Sequence, residues 1–321
     1  MSRLIKKTVI LVKIETTPGV DAVPTGAANA MYVSELSITP LNAANIDLNY
    51  VRPYFGGSDS LVGTASVKCS FKVYLAGSGT PGTAPAWGQA LQAAALAETL
   101  GLTTPARVEY SPVSDLLKTA TLYWHDDGVL HKLLGAFANV QLMAEVDQAP
   151  AYKFDFTGIY GGISAVANPT AVLSAWKQPP PVTKATVTDL NFGCTYAAGA
   201  LAGGTLMSSK GLTLDFGNQV AFSPLLSSEQ VVLTDRKIVG KIMLDLTAAQ
   251  EVTFMASVRS NALQGLGFIV GNVPGNMTLH YMPAVQLVNP SKQDYNGQRL
   301  IGYDLHVLPV AGNDEYRCVS L

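Results

Sequence analysis

Apolar and polar side chains alternate with a period of two along several stretches of the chain. In residues 66–75, apolar side chains occupy every second position from Val67 to Leu75, and Ser, Lys or Tyr lies between them. Residues 140–146 and 152–157 alternate in the same way. Successive side chains of a strand point to opposite faces, so this pattern predicts antiparallel strands with one buried and one solvated face.

Helical patterns are scarce. Residues 86–100 follow Pro85, are rich in Ala, Leu and Gln, and end at Gly101, which predicts a helix. A weaker pattern at residues 247–259 predicts a second helix. We therefore expect a mainly β fold with two flanking α-helices.

The order of predicted elements repeats along the chain. Each half reads as a short strand, a long strand, a helix and three further strands, at residues 36–38, 66–75, 86–100, 121–124, 140–142 and 152–156, and again at 212–214, 239–246, 247–259, 278–281, 285–287 and 303–307. This order predicts an internal duplication into two tandem β-sandwich or barrel modules. We place the first module, with an N-terminal arm, at residues 1–163 and the second at residues 189–321. A linker at residues 164–188 contains three consecutive prolines, which favour an extended spacer.

The composition limits the classes of partner. Only 14% of the 321 residues are charged, whereas about 25% is usual for a soluble domain, so we expect copies of the chain to cover much of its surface. The net charge is −2 and no basic patch is visible, which disfavours nucleic-acid binding through phosphate contacts. No stretch reaches the ~18 to 20 apolar residues of a membrane span, and we predict no membrane partner.

One segment carries residue types that bind metals. His125, Asp126, Asp127 and His131 lie close together in sequence. Asp127-Gly128 between two strand-like runs is also a strong hairpin signal, and we favour the hairpin. The three cysteines form no CxxC pair, and no nucleophile elbow or phosphate-binding loop is present. We predict no enzyme activity, no metal and no cofactor.

Short motifs spread over nearly the whole chain carry a resemblance to a known family. They are residues 15–19 (ETTPG), 21–26 (DAVPTG), 51–54 (VRPY), 75–80 (LAGSGT), 84–88 (APAWG), 110–113 (YSPV), 156–160 (FTGIY), 233–237 (LTDRK) and 311–315 (AGNDE). In this order they resemble the major tail tube proteins of long-tailed, non-contractile bacteriophages. No single motif would suffice.

The resemblance implies a structural role in a virion. It implies β-sandwich modules with a flanking helix, stacked as rings into a hollow tail tube that conducts the genome into the host. The implied partners are other copies of the chain, the tape measure protein and DNA passing through the lumen, and tail terminator and distal tail proteins at the ends. The implied location is the virion tail, assembled in the host cytoplasm.

The resemblance also implies rings of six modules, so a two-module chain needs three copies. If each module gives four strands to the inner wall, three chains supply about 24 strands, which enclose a backbone diameter near 50 Å. We therefore expect a homotrimeric, pseudo-hexameric ring; a homohexamer is the alternative. A near-neutral to acidic wall would let DNA slide, and we expect carboxylates such as Asp155, Asp245 and Asp304 to face the bore.

Two polar stretches, residues 41–63 and 215–237, occupy equivalent places in the repeat. We interpret them as mobile loops that form a joint between stacked rings; two solvated hairpins are the other interpretation. The predicted joint residues are Asp47, Arg52, Tyr54, Glu229, Asp235 and Arg236. Two other functions stay open for the chain: a different virion β-sandwich, such as a tail terminator or decoration protein, and a carbohydrate-binding or receptor-binding module.

Overall fold

The computed structural model describes residues 2–187 and 189–321. Strands account for 54% of the chain and helices for 7%, which confirms the mainly β fold. Met1 and Thr188 lie outside the described residues, so the predicted linker is described only as far as residue 187.

Within residues 2–187, the structure has nine strands and one α-helix, preceded by a single turn of 3-10 helix at Ile5–Lys7. The elements are β1 (Thr8–Ile14), β2 (Ala30–Met31), β3 (Ser34–Asp47), β4 (Ser60–Tyr74), α1 (Gly88–Ala93), β5 (Leu96–Thr103), β6 (Ala106–Pro112), β7 (Ala120–Asp126), β8 (Val129–Glu145) and β9 (Ala151–Ala165).

The second half is built in a similar way. Its elements are β10 (Asp189–Phe192), β11 (Thr195–Ala197), β12 (Ala200–Ala202), β13 (Thr205–Leu206), β14 (Ser208–Asp215), β15 (Val220–Leu225), β16 (Ser228–Leu233), β17 (Val239–Asp245), α2 (Ala248–Arg259), β18 (Leu263–Val270), β19 (Thr278–Tyr295), β20 (Gln298–Leu308) and β21 (Arg317–Ser320).

One helix prediction is confirmed and the other is too long. Helix α2 begins after Thr247, which forms a reciprocal capping box with Gln250. Helix α1 covers only six residues of the predicted 86–100. Ala95 has a φ of 61°, a left-handed conformation that ends the helix, and the chain continues as β5, paired with β6. In this segment, strand pairing in the β5–β6 hairpin therefore outweighs helix propensity.

Strand pairing follows the same order in both halves. In the first half the strands lie side by side as β3–β4–β9–β8–β7–β1–β2. In the second half the order is β14–β17–β20–β19–β18–β10–β13. Counterparts also follow one another in the same order along the chain. The internal duplication stays a prediction, which this match supports.

The structure changes one correspondence between the two halves of the predicted repeat. Residues 278–281 belong to the same strand, β19, as residues 285–287. They therefore cannot be the counterpart of residues 121–124, which lie in the separate strand β7. Strand β18 takes that place, because it pairs with β19 as β7 pairs with β8.

The two halves pack against each other. The largest hydrophobic cluster includes Phe71 and Phe154 from the first half and Phe268 and Leu305 from the second. The C-terminal strand β21 pairs with β6 on one side and β19 on the other. Both halves therefore share one core.

The described part of the predicted linker contacts both halves, and the N–H of Gly271 donates to the carbonyl of Thr186 at 2.8 Å. Strand β9 extends to Ala165, so the linker's first two residues are part of a strand. The indole of Trp176 donates a hydrogen bond to the carbonyl of Ala30 at 2.9 Å, and Val182 is buried. The boundary between the modules stays a prediction.

The contact between the halves includes a close backbone approach that requires glycine. The N–H of Gly79 donates to the carbonyl of Gly275 at 2.8 Å. A Cβ atom on Gly77 would lie 2.0 Å from that carbonyl oxygen. We expect Gly77→Ala to lower the free energy of unfolding by about 2 kcal/mol or more, measured by urea denaturation. Gly57→Ala is the control, because nothing lies within 4 Å of its Cβ; an equal loss in both variants would contradict the prediction.

A buried histidine predicts acid sensitivity. His280 is fully buried, its Nδ1 lies 2.6 Å from the hydroxyl of Tyr316, and burial lowers its pKa to about 3. Between pH 6.5 and about 3 the unfolded chain therefore takes up a proton that the folded chain does not, and stability falls by at most about 1.4 kcal/mol per pH unit.

Urea unfolding at pH 7 and pH 5 checks this expectation. The loss of stability on acidification should be smaller in His280→Gln than in the parent chain. Burial also lowers the pKa of His125 and His131, which leave some dependence in every variant. Equal slopes in the parent and His280→Gln would refute the assignment.

Candidate functional site: an open sheet with two unpaired edges

Within the 17-stranded sheet of the molecule, a run of eight antiparallel strands spans both halves. It lies in the order β3–β4–β9–β8–β14–β17–β20–β19, with four strands from each half. The run crosses from one half to the other between β8 and β14. We call this junction the seam.

The seam is made of backbone pairing reinforced by side chains. Residues Gly211–Asp215 pair with Gln141–Glu145. The carboxylate of Asp215 accepts hydrogen bonds from the side-chain amides of Asn139 and Gln141, each at 2.9 Å. Every backbone group that a strand presents at such an edge needs a partner, and β8 provides those partners to β14.

The two ends of the run have no such partner. Within residues 2–187 and 189–321, β3 pairs only with β4. The pairing of β19 with β18 ends at Gln286, and beyond that residue β19 pairs only with β20. Residues 289–294 are exposed. The chain therefore carries two open sheet edges, one at β3 and one at the outer part of β19.

An open edge at β3 predicts that its side chains are less buried than those of its counterpart β14, and this difference is observed. Leu212 and Leu214 of β14 are 4% and 1% exposed. Leu36 and Ile38, which the repeat places in the same positions of β3, are only partly buried. The difference arises because β8 pairs with the edge of β14, whereas no described strand pairs with the outer edge of β3.

One face of the run packs on the core and the other is open. The buried side chains of Phe154 and Phe156 flank Asp155, which points to the opposite face, and Asp304 lies in the same way between Tyr303 and Leu305. The charged residues of the open face are Glu35, Glu145, Asp155, Asp215, Asp245 and Asp304 together with Lys68, Lys72, Lys153, Lys210 and Lys241. Opposite charges are interspersed, and the three carboxylates that we expected to face a bore all lie here. Their role in a lumen stays a prediction.

The segment with metal-binding residue types forms the predicted hairpin. Strands β7 and β8 pair across a turn in which Asp127 and Gly128 have φ values of 40° and 94°. His125 is buried in β7. In the part of the chain that the structure describes, no three His, Cys, Asp or Glu residues are grouped to hold a metal.

The cysteines are buried in the core. Burial raises the pKa of Cys69 and Cys194, and that of Cys318 to about 12. A thiol reacts as its thiolate, so these side chains are poor nucleophiles at neutral pH.

The two stretches that we interpreted as loops each contain the strands of a β-hairpin. We call residues 41–63 the first arm and residues 215–237 the second arm. The first arm consists of the outer parts of β3 and β4 and the connection between them, and most of its side chains are exposed. The second arm holds the separate hairpin β15–β16, which packs against β8 and β9, and Val231 is buried there.

The six predicted joint residues lie on these arms in two separate sets. Asp47, Tyr54, Glu229 and Asp235 are exposed. Arg52 is partly buried, and its guanidinium lies over the ring of Tyr50, 5.9 Å from the ring centroid. The structure therefore does not bring the residues of the two arms together within one chain.

Arg236 makes contacts that the sequence did not reveal. Its guanidinium lies 2.6 Å from a carboxylate oxygen of Glu315, with both side chains 9% exposed. It also donates to the carbonyl of Val113 at 3.0 Å. Arg236 thus anchors the second arm to the body of the chain. The only signal for this pair was that both residues lie in the motifs 233–237 and 311–315. The joint itself stays a prediction.

The fold is that of a mainly β protein built around one extended sheet with two open edges. Residues 6–307 match a family model described as phage tail tube protein. Since the match covers nearly the whole sequence, the chain belongs to this family and is a structural component of the phage virion tail. Comparison with curated proteins gives no match. Among the described residues, neither helix has the length and apolar character that crossing a bilayer requires.

Proposed function

We propose that this chain is the repeating subunit of the tail tube, joined edge to edge with identical copies into rings that stack around a lumen. The two open edges carry this proposal. Strand β3 is the counterpart of β14, and the outer part of β19 is the counterpart of the part of β8 that receives β14. The seam inside the chain is therefore a template for the contact between chains.

In this arrangement, residues 34–38 of β3 pair with a stretch of equal length within residues 288–295 of β19 in the next copy. The pairing satisfies backbone groups that would otherwise invite aggregation. It would also bury Leu36 and Ile38 as deeply as Leu212 and Leu214, which are 4% and 1% exposed. The low content of charged residues, 14%, fits a surface covered in this way.

Strand number favours three copies per ring. Eight strands from one chain would form a barrel filled by its own side chains, and two chains give roughly two-thirds or less of the width of three. Three chains, with about 24 strands, enclose a diameter near 50 Å, wide enough for duplex DNA. Six copies would enclose about twice that diameter. We therefore retain the homotrimeric, pseudo-hexameric ring over the homohexamer.

The open face of the sheet would line the lumen. Its carboxylates and lysines are interspersed, so it offers no basic track to hold phosphates, and DNA and the tape measure protein could pass without strong binding. Tail terminator and distal tail proteins would meet the exposed strand edges and arms of the last rings. Assembly in the host cytoplasm fits this role.

Electron microscopy of the concentrated, purified chain tests the proposal. We expect hollow tubes whose end views show three identical subunits and six similar lobes. Single rings that never lengthen would favour a tail terminator or decoration protein. A chain that stays solitary would refute assembly altogether.

Proline substitutions test the edge directly. Neighbouring residues of a strand direct their N–H groups to opposite sides, so of Ser37 and Ile38 one N–H points to β4 and the other points away from the sheet. Proline at the second of these positions removes the donor at the open edge and leaves the hydrogen bonds between β3 and β4 in place. That variant should keep its melting temperature and need at least about tenfold more protein to form rings. Thr99→Pro and Leu100→Pro, on strand β5 outside the run, are the controls. Normal rings from both β3 variants would contradict edge pairing.

We also propose that polar residues of the arms form the joint between rings. Charge reversal by Arg52→Glu should leave rings intact and shorten or abolish tubes, measured by microscopy and sedimentation. Arg236→Glu should instead destabilise the fold by about 3 to 5 kcal/mol, because it leaves Glu315 buried without its partner. Tubes of normal length from Arg52→Glu would show that Arg52 is not part of the joint.

A further inference from the structure

A pocket lies on the first half, where the predicted linker passes over helix α1 and strand β1. Its cavity volume is about 590 Å³, within the range of pockets that hold small organic molecules. Its walls include side chains of α1 and β1, residues 27–31, and residues 172–176 of the linker. We call it the linker pocket. Neither the eight-stranded run nor the arms contribute to it, so its role is separate from the strand edges.

The linker closes this pocket in a fixed position. The N–H of Val172 donates to the carbonyl of Gly26, and the indole N–H of Trp176 donates to the carbonyl of Ala30, each at 2.9 Å. A Cβ atom on Gly26 would lie 2.4 Å from the carbonyl oxygen of Thr170, so the two segments approach as closely as their backbones allow. The ring of Trp176 is therefore a preformed aromatic wall of the pocket.

The polar side chains of the pocket offer both acceptors and donors of hydrogen bonds. Gln89 lines the pocket, and its Oε1 atom is buried without a hydrogen-bond partner among the described residues. The ammonium of Lys118, an exposed residue, donates at 2.9 Å to the Oε1 atom of Gln92, which is 8% exposed. An ammonium has three N–H donors, so Lys118 has two more for a ligand. A buried acceptor without a partner is costly, and a donor on a ligand would remove that cost.

The ionisable side chains that line the pocket carry a small excess of positive charge. They are Lys13, Lys118 and Glu98. The carboxylate of Glu98 accepts a hydrogen bond from the hydroxyl of Tyr110 at 2.6 Å, and Lys13 donates to the carbonyl of Ala22 at 2.8 Å. Two ammonium groups against one carboxylate favour a ligand with one negative charge.

We propose that the linker pocket binds an acidic sugar of the uronic acid class. The C–H face of the sugar ring packs against Trp176, and the sugar carboxylate accepts hydrogen bonds from Lys118. A hydroxyl both donates and accepts, so a ring hydroxyl donates to the Oε1 atom of Gln89. An apolar ligand would leave these polar groups unpaired, and a nucleotide carries more negative charge than one excess lysine balances.

The pocket lies behind the sheet, on the side away from its open face. Trp87 precedes α1, and its ring centroid lies 5.8 Å from that of Tyr152, which is fully buried on the core face of β9. In the proposed tube the open face lines the lumen, so the pocket would face away from the lumen. A free uronic acid and the end of an acidic polysaccharide present the same groups there. Sugar binding itself does not depend on tube assembly.

Titration calorimetry of the full chain tests the site. Glucuronate is the probe, and glucose is the matched ligand, because it has the same ring without the carboxylate. We expect one glucuronate per chain, bound at least about tenfold more tightly than glucose. Lys118→Gln should weaken glucuronate binding about tenfold and affect glucose less. Lys184→Gln, an exposed position outside the linker pocket, should change neither affinity.

A second variant separates binding from folding. Gln89→Met keeps a side chain of similar length and removes the unpartnered acceptor. Its melting temperature should equal or exceed that of the parent, while its affinity for glucuronate falls about tenfold. A lower melting temperature with unchanged affinity would show that Gln89 serves the fold and not the site.

The outcomes decide the proposal without reference to assembly. Absence of binding heat with either sugar up to about 50 mM overturns the sugar site. Equal affinities for glucuronate and glucose, or an unchanged affinity in Lys118→Gln, overturn the acidic ligand. A chain that forms tubes but binds no sugar leaves the proposed function standing. Where glucuronate binds, a glucuronate-terminated oligosaccharide that binds more tightly indicates a polysaccharide source, and equal affinity indicates the free sugar.

Discussion

The structure depends on one constraint: the backbone N–H and C=O groups along a strand must find partners. Inside the chain, β8 supplies them to β14, and the eight-stranded run exists because of that seam. The same constraint leaves β3 and the outer part of β19 unsatisfied at the two ends. A sheet that stops at two long edges is a liability for a solitary molecule and a means of assembly for a subunit.

Two halves in one chain give two kinds of junction from one geometry. The seam is held by covalent connection, by a shared core and by the strand β21 between β6 and β19. The proposed junction between copies would have only the strand edges and the arms. In the described chain, exposed aromatic side chains lie on the first arm, whereas the second arm is fixed by Asn218 and by the buried pair of Arg236 and Glu315.

Local chemistry accounts for the elements that could be predicted. The strands around residues 66–75 and 152–157 follow from alternation, α2 from its capping box at Thr247, and the β7–β8 turn from Asp127-Gly128. In each case the signal lies within a few neighbouring residues. The motifs spread along the chain also sufficed to identify the family that the match at residues 6–307 shows.

Contacts between distant residues decided the rest. Residues 96–100 belong to the predicted helix yet form part of β5, because β6 is there to pair with them. Residues 278–281 are part of the long strand β19 rather than a separate strand. Arg236 pairs with Glu315, which lies 79 positions further along the sequence. By itself the sequence determined the strands that alternate clearly and which faces they bury, since a period of two is local. Which strand pairs with which, and therefore which edges stay open, depends on long-range pairing that only the tertiary structure decides.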